Sequence, residues 1–233
     1  MKKCILLLAS FLILSCGNEQ HDLVVKTTIK GLKKGTVYLK KVKDTSLITV
    51  DSLIINGDAA FELHSALESP EMFFLFLDKN TVEQDRIPFF ADKGVTEIET
   101  SLKNFGFDVK IKGSPQQKLF EEYKALISKF NNRNLDLIKE RFEAQKAGDT
   151  ARVNSIYNES NNIIKRKYLY TVNFALNHKD SEIAPYLALS EIYNAQIKYL
   201  DTINNSLTPK VKNSKYGKEL QSYIDKIKAN ASS

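Results

Sequence analysis

From Leu23 the chain alternates between apolar and polar residues with the period of two that marks a half-buried strand. Leu23-Val24-Val25-Lys26-Thr27-Thr28-Ile29 is β-branched and stops at Gly31, and Thr36-Val37-Tyr38-Leu39 follows a Lys33-Lys34-Gly35 turn. Leu47 to Ile55 runs into Asn56-Gly57, a strong short-range hairpin signal, and Ala60-Phe61-Glu62-Leu63 returns from it. Met72 to Leu77, Ile87 to Ala91, Val95 to Ile98 and Phe107 to Ile111 complete the set. Short strands punctuated by turn residues predict an antiparallel β-sandwich or barrel over residues 23–113.

At Gly113 the period changes to that of helices. Ser114 is placed as an N-cap, Pro115 at the first helical position and Gln117 at the capping-box position. Phe120, Tyr123, Ile127, Phe130, Leu135, Ile138 and Phe142 then recur mainly at three- and four-residue steps. Gly148-Asp149 ends that helix and caps a second through Leu176. Asp180-Ser181 caps a third through Tyr193, a fourth covers 196–206, Pro209 interrupts, and a last helix runs from 215 to 228. The expected fold class is α+β, with a C-terminal helical bundle over residues 114–233.

The amino end reads differently. Lys2 and Lys3 precede an almost unbroken apolar run from Ile5 to Leu14, then Ser15 and Cys16. Positive start, apolar run and small residue predict a secretory signal peptide over residues 1–15. The cysteine next in line makes Ile13-Leu14-Ser15-Cys16 a lipobox. The expected mature protein therefore begins at a lipidated Cys16, carrying diacylglyceryl and acyl chains such as palmitate, on a polar tether over residues 16–22. Each buried acyl CH₂ contributes about 0.8 kcal/mol, so two or three chains hold a protein at a membrane without a spanning helix. Gly17 stands where an Asp often retains lipoproteins in an inner membrane, which points to the outer membrane of a Gram-negative envelope, with either face open.

Composition narrows the function. The 233 residues include two cysteines, Cys4 and Cys16, and no tryptophan. The first leaves with the signal peptide and the second with its lipid, so thiol chemistry and disulfides are not expected in the mature protein. Net charge is +6, and the excess lies in the helical half, where lysines are dispersed and not clustered with stacking aromatics. That pattern reads as a solvated helical surface, and no nucleic-acid partner is expected. His21, His64 and His178 are far apart, with no metal-ligating neighbour at helical or strand spacing. Gly-x-Ser-x-Gly, a true Ser-x-x-Lys nucleophile motif and a phosphate-cradling glycine loop are missing. The expectation is no catalytic residue, no cofactor and no metal. Phe73-Phe74-Leu75-Phe76 and Ile87-Pro88-Phe89-Phe90 are too continuous for a sheet with one wet face. Either the helical half buries the second face, or Phe73, Phe74, Phe76, Phe89 and Phe90 form a contact patch for another protein. Pro88 places its strand at an edge or a bulge.

Ile29/Gly31, Gly35 to Leu39, Asp51-Ser52, Asn56 to Phe61 and Ile111 to Ser114 follow a recognisable order. It resembles the domain of unknown function 4369, the amino-terminal module of lipid-anchored thiol–disulfide oxidoreductases in Gram-negative gut-type bacteria. Ala147 to Thr150 and Leu207 to Gly217 are similar to the helical approach to the thioredoxin-like domain of those proteins. The resemblance implies a sandwich followed by helices. Reductase activity is not expected to carry over, because the chain ends about where that domain would begin and holds no Cys-x-x-Cys and no tryptophan. Three roles follow as expectations: a non-catalytic envelope binding or scaffolding module, an accessory subunit docking a separate thioredoxin-like partner, or a glycan- or peptide-binding lipoprotein.

Overall fold

The computed structural model describes residues 22–78 and 86–231. The lipobox, Cys16 and His21 lie outside the described residues. Among the described residues eight strands form two four-stranded sheets, and six helices follow. The strands are β1 (Leu23–Lys30), β2 (Lys34–Lys43), β3 (Ser46–Asn56), β4 (Ala60–Ser65), β5 (Glu71–Asp78), β6 (Arg86–Ala91), β7 (Gly94–Ser101) and β8 (Lys110–Lys112). One sheet runs β4-β1-β7-β8 and the other β3-β2-β5-β6. The helices are α1 (Pro115–Lys146), α2 (Thr150–Asn177), α3 (Ile183–Ser190), α4 (Ile197–Ser206), α5 (Pro209–Lys212) and α6 (Lys215–Ala231).

The sheets face each other across one core that takes Leu23, Val25 and Ile29 from β1, Val37 and Leu39 from β2, and Phe73, Leu75 and Phe89 from β5 and β6. They do not close into a barrel. Three sequence expectations need correction. Asn56-Gly57 is not a hairpin: β3 and β4 belong to different sheets, and the turn carries the chain across the core edge. Gly57 adopts φ 113° there and donates to the Lys33 carbonyl at 2.9 Å. The tight hairpin is instead Asp44-Thr45, with Asp44 at φ 56° and Lys43 paired to Ser46. The sheets are not wholly antiparallel, since β1 runs parallel to β7 from Leu23↔Gly94 to Lys30↔Ser101. The expected strand from Phe107 shrinks to Lys110–Lys112, and Phe107 sits in a turn, 92% exposed.

The outer face of the first sheet is wet. Its cross-strand row Lys112–Glu97–Lys26–Glu62 alternates in sign, with Lys26 and Glu62 at 3.3 Å. The outer face of the second sheet is covered at β5 and β6, where Met72 and Phe90 pack with Phe120, Tyr123, Ile183, Leu187 and Tyr216. The molecule is therefore layered as sheet, sheet, helices. Beyond that contact α1 and α2, of 32 and 28 residues, continue as an antiparallel hairpin whose helices are about 48 and 42 Å long.

Candidate functional site

The helical region joins the β region through the segments that start α1 and α6. Ser114 caps α1 as its sequence requires, its Oγ accepting from the Gln117 N–H at 3.1 Å. Gly113 allows this entry, because a Cβ there would stand 2.1 Å from the Val95 carbonyl oxygen. Gln117 does not close the expected capping box. Its Oε1 accepts the Phe90 backbone N–H at 2.8 Å, and its Nε2 donates to Glu121 at 2.7 Å. Among the described residues β6 is an edge strand, so this amide occupies a backbone donor that no neighbouring strand there takes. Pro88, on the same edge, has no N–H to leave unpaired.

A second tie comes from the start of α6. The Tyr216 hydroxyl accepts the Met72 N–H at 2.9 Å, one residue past the last β2–β5 pair, Lys41↔Phe73. Burial pushes the Tyr216 phenol far above its ordinary pKa. Lys215 and Lys41 both reach the Glu71 carboxylate, the latter at 2.7 Å, and Glu71 is only 4% exposed. A buried carboxylate of this kind is tolerable because both oxygens are charge-paired. Ser214 Oγ donates to the Val211 carbonyl at 2.7 Å, and Gly217 lets α6 approach α5, where a Cβ would lie 2.0 Å from the same oxygen. Ser214 to Gly217, the end of the Leu207 to Gly217 segment that resembles the approach to a thioredoxin-like domain, thus forms a clasp between helices and sheet.

Between the ties lies an aromatic cluster: Phe90 is 5.4 Å from Tyr186 and 5.9 Å from Tyr216, and those two tyrosines are 5.1 Å apart. All three contacts are edge-to-face, the favoured arrangement. Beside it runs a polar network. Ser114 donates to Asp92, Gln116 Nε2 donates to Glu182 Oε2 at 2.7 Å, and Ser181 donates to Gln116 Oε1, which also receives the Ile183 N–H at 3.3 Å. Glu182 is 1% exposed, and burial raises its pKa against the opposing pull of Lys210.

Of the five residues of the expected contact patch, Phe73, Phe89, Phe76 and Phe90 are buried; Phe74 keeps a partly exposed ring with the Arg86 guanidinium 5.6 Å from its centre. Phe73 and Phe89 stack at 6.0 Å inside the sheet core. The run is continuous because both its faces are covered. His64 lies 3.8 Å from Asp51 and 3.9 Å from Glu62, while His178 caps α2 with its ring 4.4 Å from Phe174. No cluster of three or more metal-ligating side chains occurs among the described residues. A surface groove of about 760 Å³, missed in the sequence, lies between α2 and the α3–α4 connection. Tyr168, Tyr199, Lys167, Glu191, Asn194 and Gln196 line it, and Glu182 does not. No simple sequence signal marks it, since its residues come from two separate helical segments.

Residues 23–120 match the family model for a domain of unknown function, DUF4369. The match opens on the first residue of β1 and ends at Phe120, so the DUF4369 region includes the β layers and the part of α1 that carries Gln117. No curated protein matches the chain. Among the described residues no helix is long and apolar enough to cross a membrane.

Proposed function

We propose that this protein is a lipid-anchored component of the bacterial outer membrane whose folded body is a non-catalytic binding or scaffolding module. The observation that supports it best is the use of the junction's polar groups. Glu71, Gln116, Gln117, Glu182, Ser214 and Tyr216 are all bonded within the fold, as structural groups are, instead of converging on an open cleft. Cys16 supplies the anchor, by the lipobox. Metabolic labelling with palmitate tests this: the label and membrane partition should both vanish in Cys16→Ala. A Cys16→Ala protein that stays labelled and membrane-bound refutes the anchor. Steady turnover of a generic envelope substrate by the purified protein refutes the non-catalytic reading.

The groove favours a second reading, a glycan- or peptide-binding lipoprotein. Its two tyrosines stand 5.6 Å apart and its polar rim offers amide, ammonium and carboxylate groups, the mixture such ligands require. Binding on a glycan or peptide array that survives Tyr199→Ala would remove the groove as its site.

A further inference from the structure

The α1–α2 hairpin is built as a two-stranded antiparallel coil. Phe130, Asn134, Leu137, Arg141 and Ala144 turn inward at alternating steps of four and three, opposite Val153, Ile156, Ser160 and Ile163 of α2. In such a pair the residues flanking the seam fall on two sides, and here the sides differ completely. One side is closed by charge. Arg133 binds Glu159 at 2.7 Å and Glu140 at 2.8 Å, and Arg152 also binds Glu140. The other side carries Leu135, Ile138 and Phe142 from α1 with Tyr157 and Ile164 from α2, exposed by 63, 36, 63, 47 and 60%. Arg141 over the Tyr157 ring at 5.3 Å brings the two helices' contributions together.

No Lys, Asp or Glu interrupts that side, and its one charged group is the Arg141 guanidinium over the Tyr157 ring. Its remaining positions are Asn131, Gln145, Asn154 and Asn161, in a chain that is 27% charged. Depletion of charge with enrichment of aromatics is the composition of an interface centre. A helix built to lie on anionic lipid would set a row of basic residues among its apolar ones, where this face sets four amides and the single Arg141. Amides both donate and accept, so each can pair with its own copy across a two-fold axis. Weighted by exposure, the five apolar side chains offer about 500 Å² per copy at side-chain areas of about 150–250 Å². With the amide rim the face approaches the roughly 800 Å² per partner of a stable interface.

We propose that the apolar side of the α1–α2 hairpin docks on the same side of a second copy of this chain, forming a two-fold four-helix assembly in which Phe142, Ile138 and Tyr157 are central. The pairing does not depend on the anchor or on the groove.

The test uses the full-length protein in intact cells. Cysteine is introduced singly at Asn131, Asn154 and Asn161, with Lys139→Cys and the unsubstituted protein as controls, and a short bismaleimide is added. Covalent dimer is expected from at least one of the three amide positions and from neither control. Adding Leu135→Asp and Phe142→Asp should cut its yield by about tenfold or more, the effect of about 1.4 kcal/mol. Both sites are exposed in the single chain, so the melt measured at a dilution where the protein is monomeric should not move. No dimer, or a dimer indifferent to the aspartates, overturns the proposal. A cross-linked band of another mass overturns it in favour of a different protein. Quenching of a maleimide dye at position 161 by a lipid-borne quencher overturns it in favour of the bilayer.

Discussion

Tyr216→Phe removes one oxygen and little else. The ring keeps its edge-to-face contacts with Phe90 and Tyr186, but the Met72 N–H loses its acceptor inside a closed junction. A backbone donor left unsatisfied in such a place costs about 1–3 kcal/mol. In a protein of this size each kcal/mol lowers Tm by about 2–4 °C, so a central value of about 2 kcal/mol predicts a fall of about 4–8 °C. The matching control is Tyr223→Phe, whose hydroxyl donates to the Tyr193 carbonyl at 2.9 Å from an exposed position. Its effect should stay within about 0.5 kcal/mol. Thermal unfolding should be followed by far-ultraviolet dichroism, which weights the helices, and by tyrosine fluorescence. The two signals should fall together, because Gln117, Tyr216, Lys215 and the aromatic cluster bind the helices to the sheet. Equal effects of the two substitutions, or helices that melt well before the sheet, would refute the account of the junction.

Glu182→Gln probes the buried carboxyl. Its folded pKa is raised by burial, so its stability contribution is complete below the unfolded value, about 4.3, and is lost as pH rises through the folded value. Stability measured at pH 4 and pH 7.5 should therefore favour the glutamine variant only at the higher pH; an equal gain at both would contradict this. Gly217→Ala forces a Cβ against the Val211 carbonyl and should cost about 1–3 kcal/mol in urea unfolding, whereas Gly57→Ala meets no atom within 4 Å and is charged only for its φ of 113°. Thr27, Thr96 and Thr100 point hydroxyls into the core, where they find no hydrogen-bond partner among the described residues. Thr100→Val keeps the shape and should raise Tm by about 2–4 °C for about 1 kcal/mol; a fall would mean the hydroxyl is satisfied.

Local chemistry made much of the fold legible. Ser114-Pro115 and Gly148-Asp149 mark helix ends through backbone needs that act within four residues, and both caps form, with Asp149 accepting the Arg152 N–H at 2.8 Å. Asn56-Gly57 misled because a turn signal fixes the bend and not the sheet that receives the next strand. Ile55 and Leu63 both enter the shared core, and that long-range burial sends β4 across to β1. The parallel β1–β7 pair was invisible for the same reason, since nothing local records a partner about seventy residues away. At the junction the sequence showed Gln117 as a capping residue, and only the neighbouring edge of β6 gives it another task. The groove and the apolar side of the hairpin were hidden differently. The groove's residues come from two separate helical segments, while the apolar residues of the hairpin side looked like core by spacing and only their exposure separates them from it.

The covered face of β5 and β6 explains why the helices cannot be treated as an appendage. Without α1 and α6, Met72 and Phe90 would lie open on the second sheet. The Phe90 N–H would then project from an edge strand with nothing to meet it, as unguarded sheet edges do before they recruit another chain. Gln117 and Phe120 remove both hazards from within the first two turns of α1. The DUF4369 match ends at Phe120, eight residues past the last strand, and so takes in this guard as part of the unit. A β region cut at Lys112 should accordingly aggregate, while one that keeps the start of α1 still lacks Tyr216 for Met72. Soluble, monodisperse protein from residues 22–112 alone, measured by light scattering, would show that the sheet edge needs no such cover.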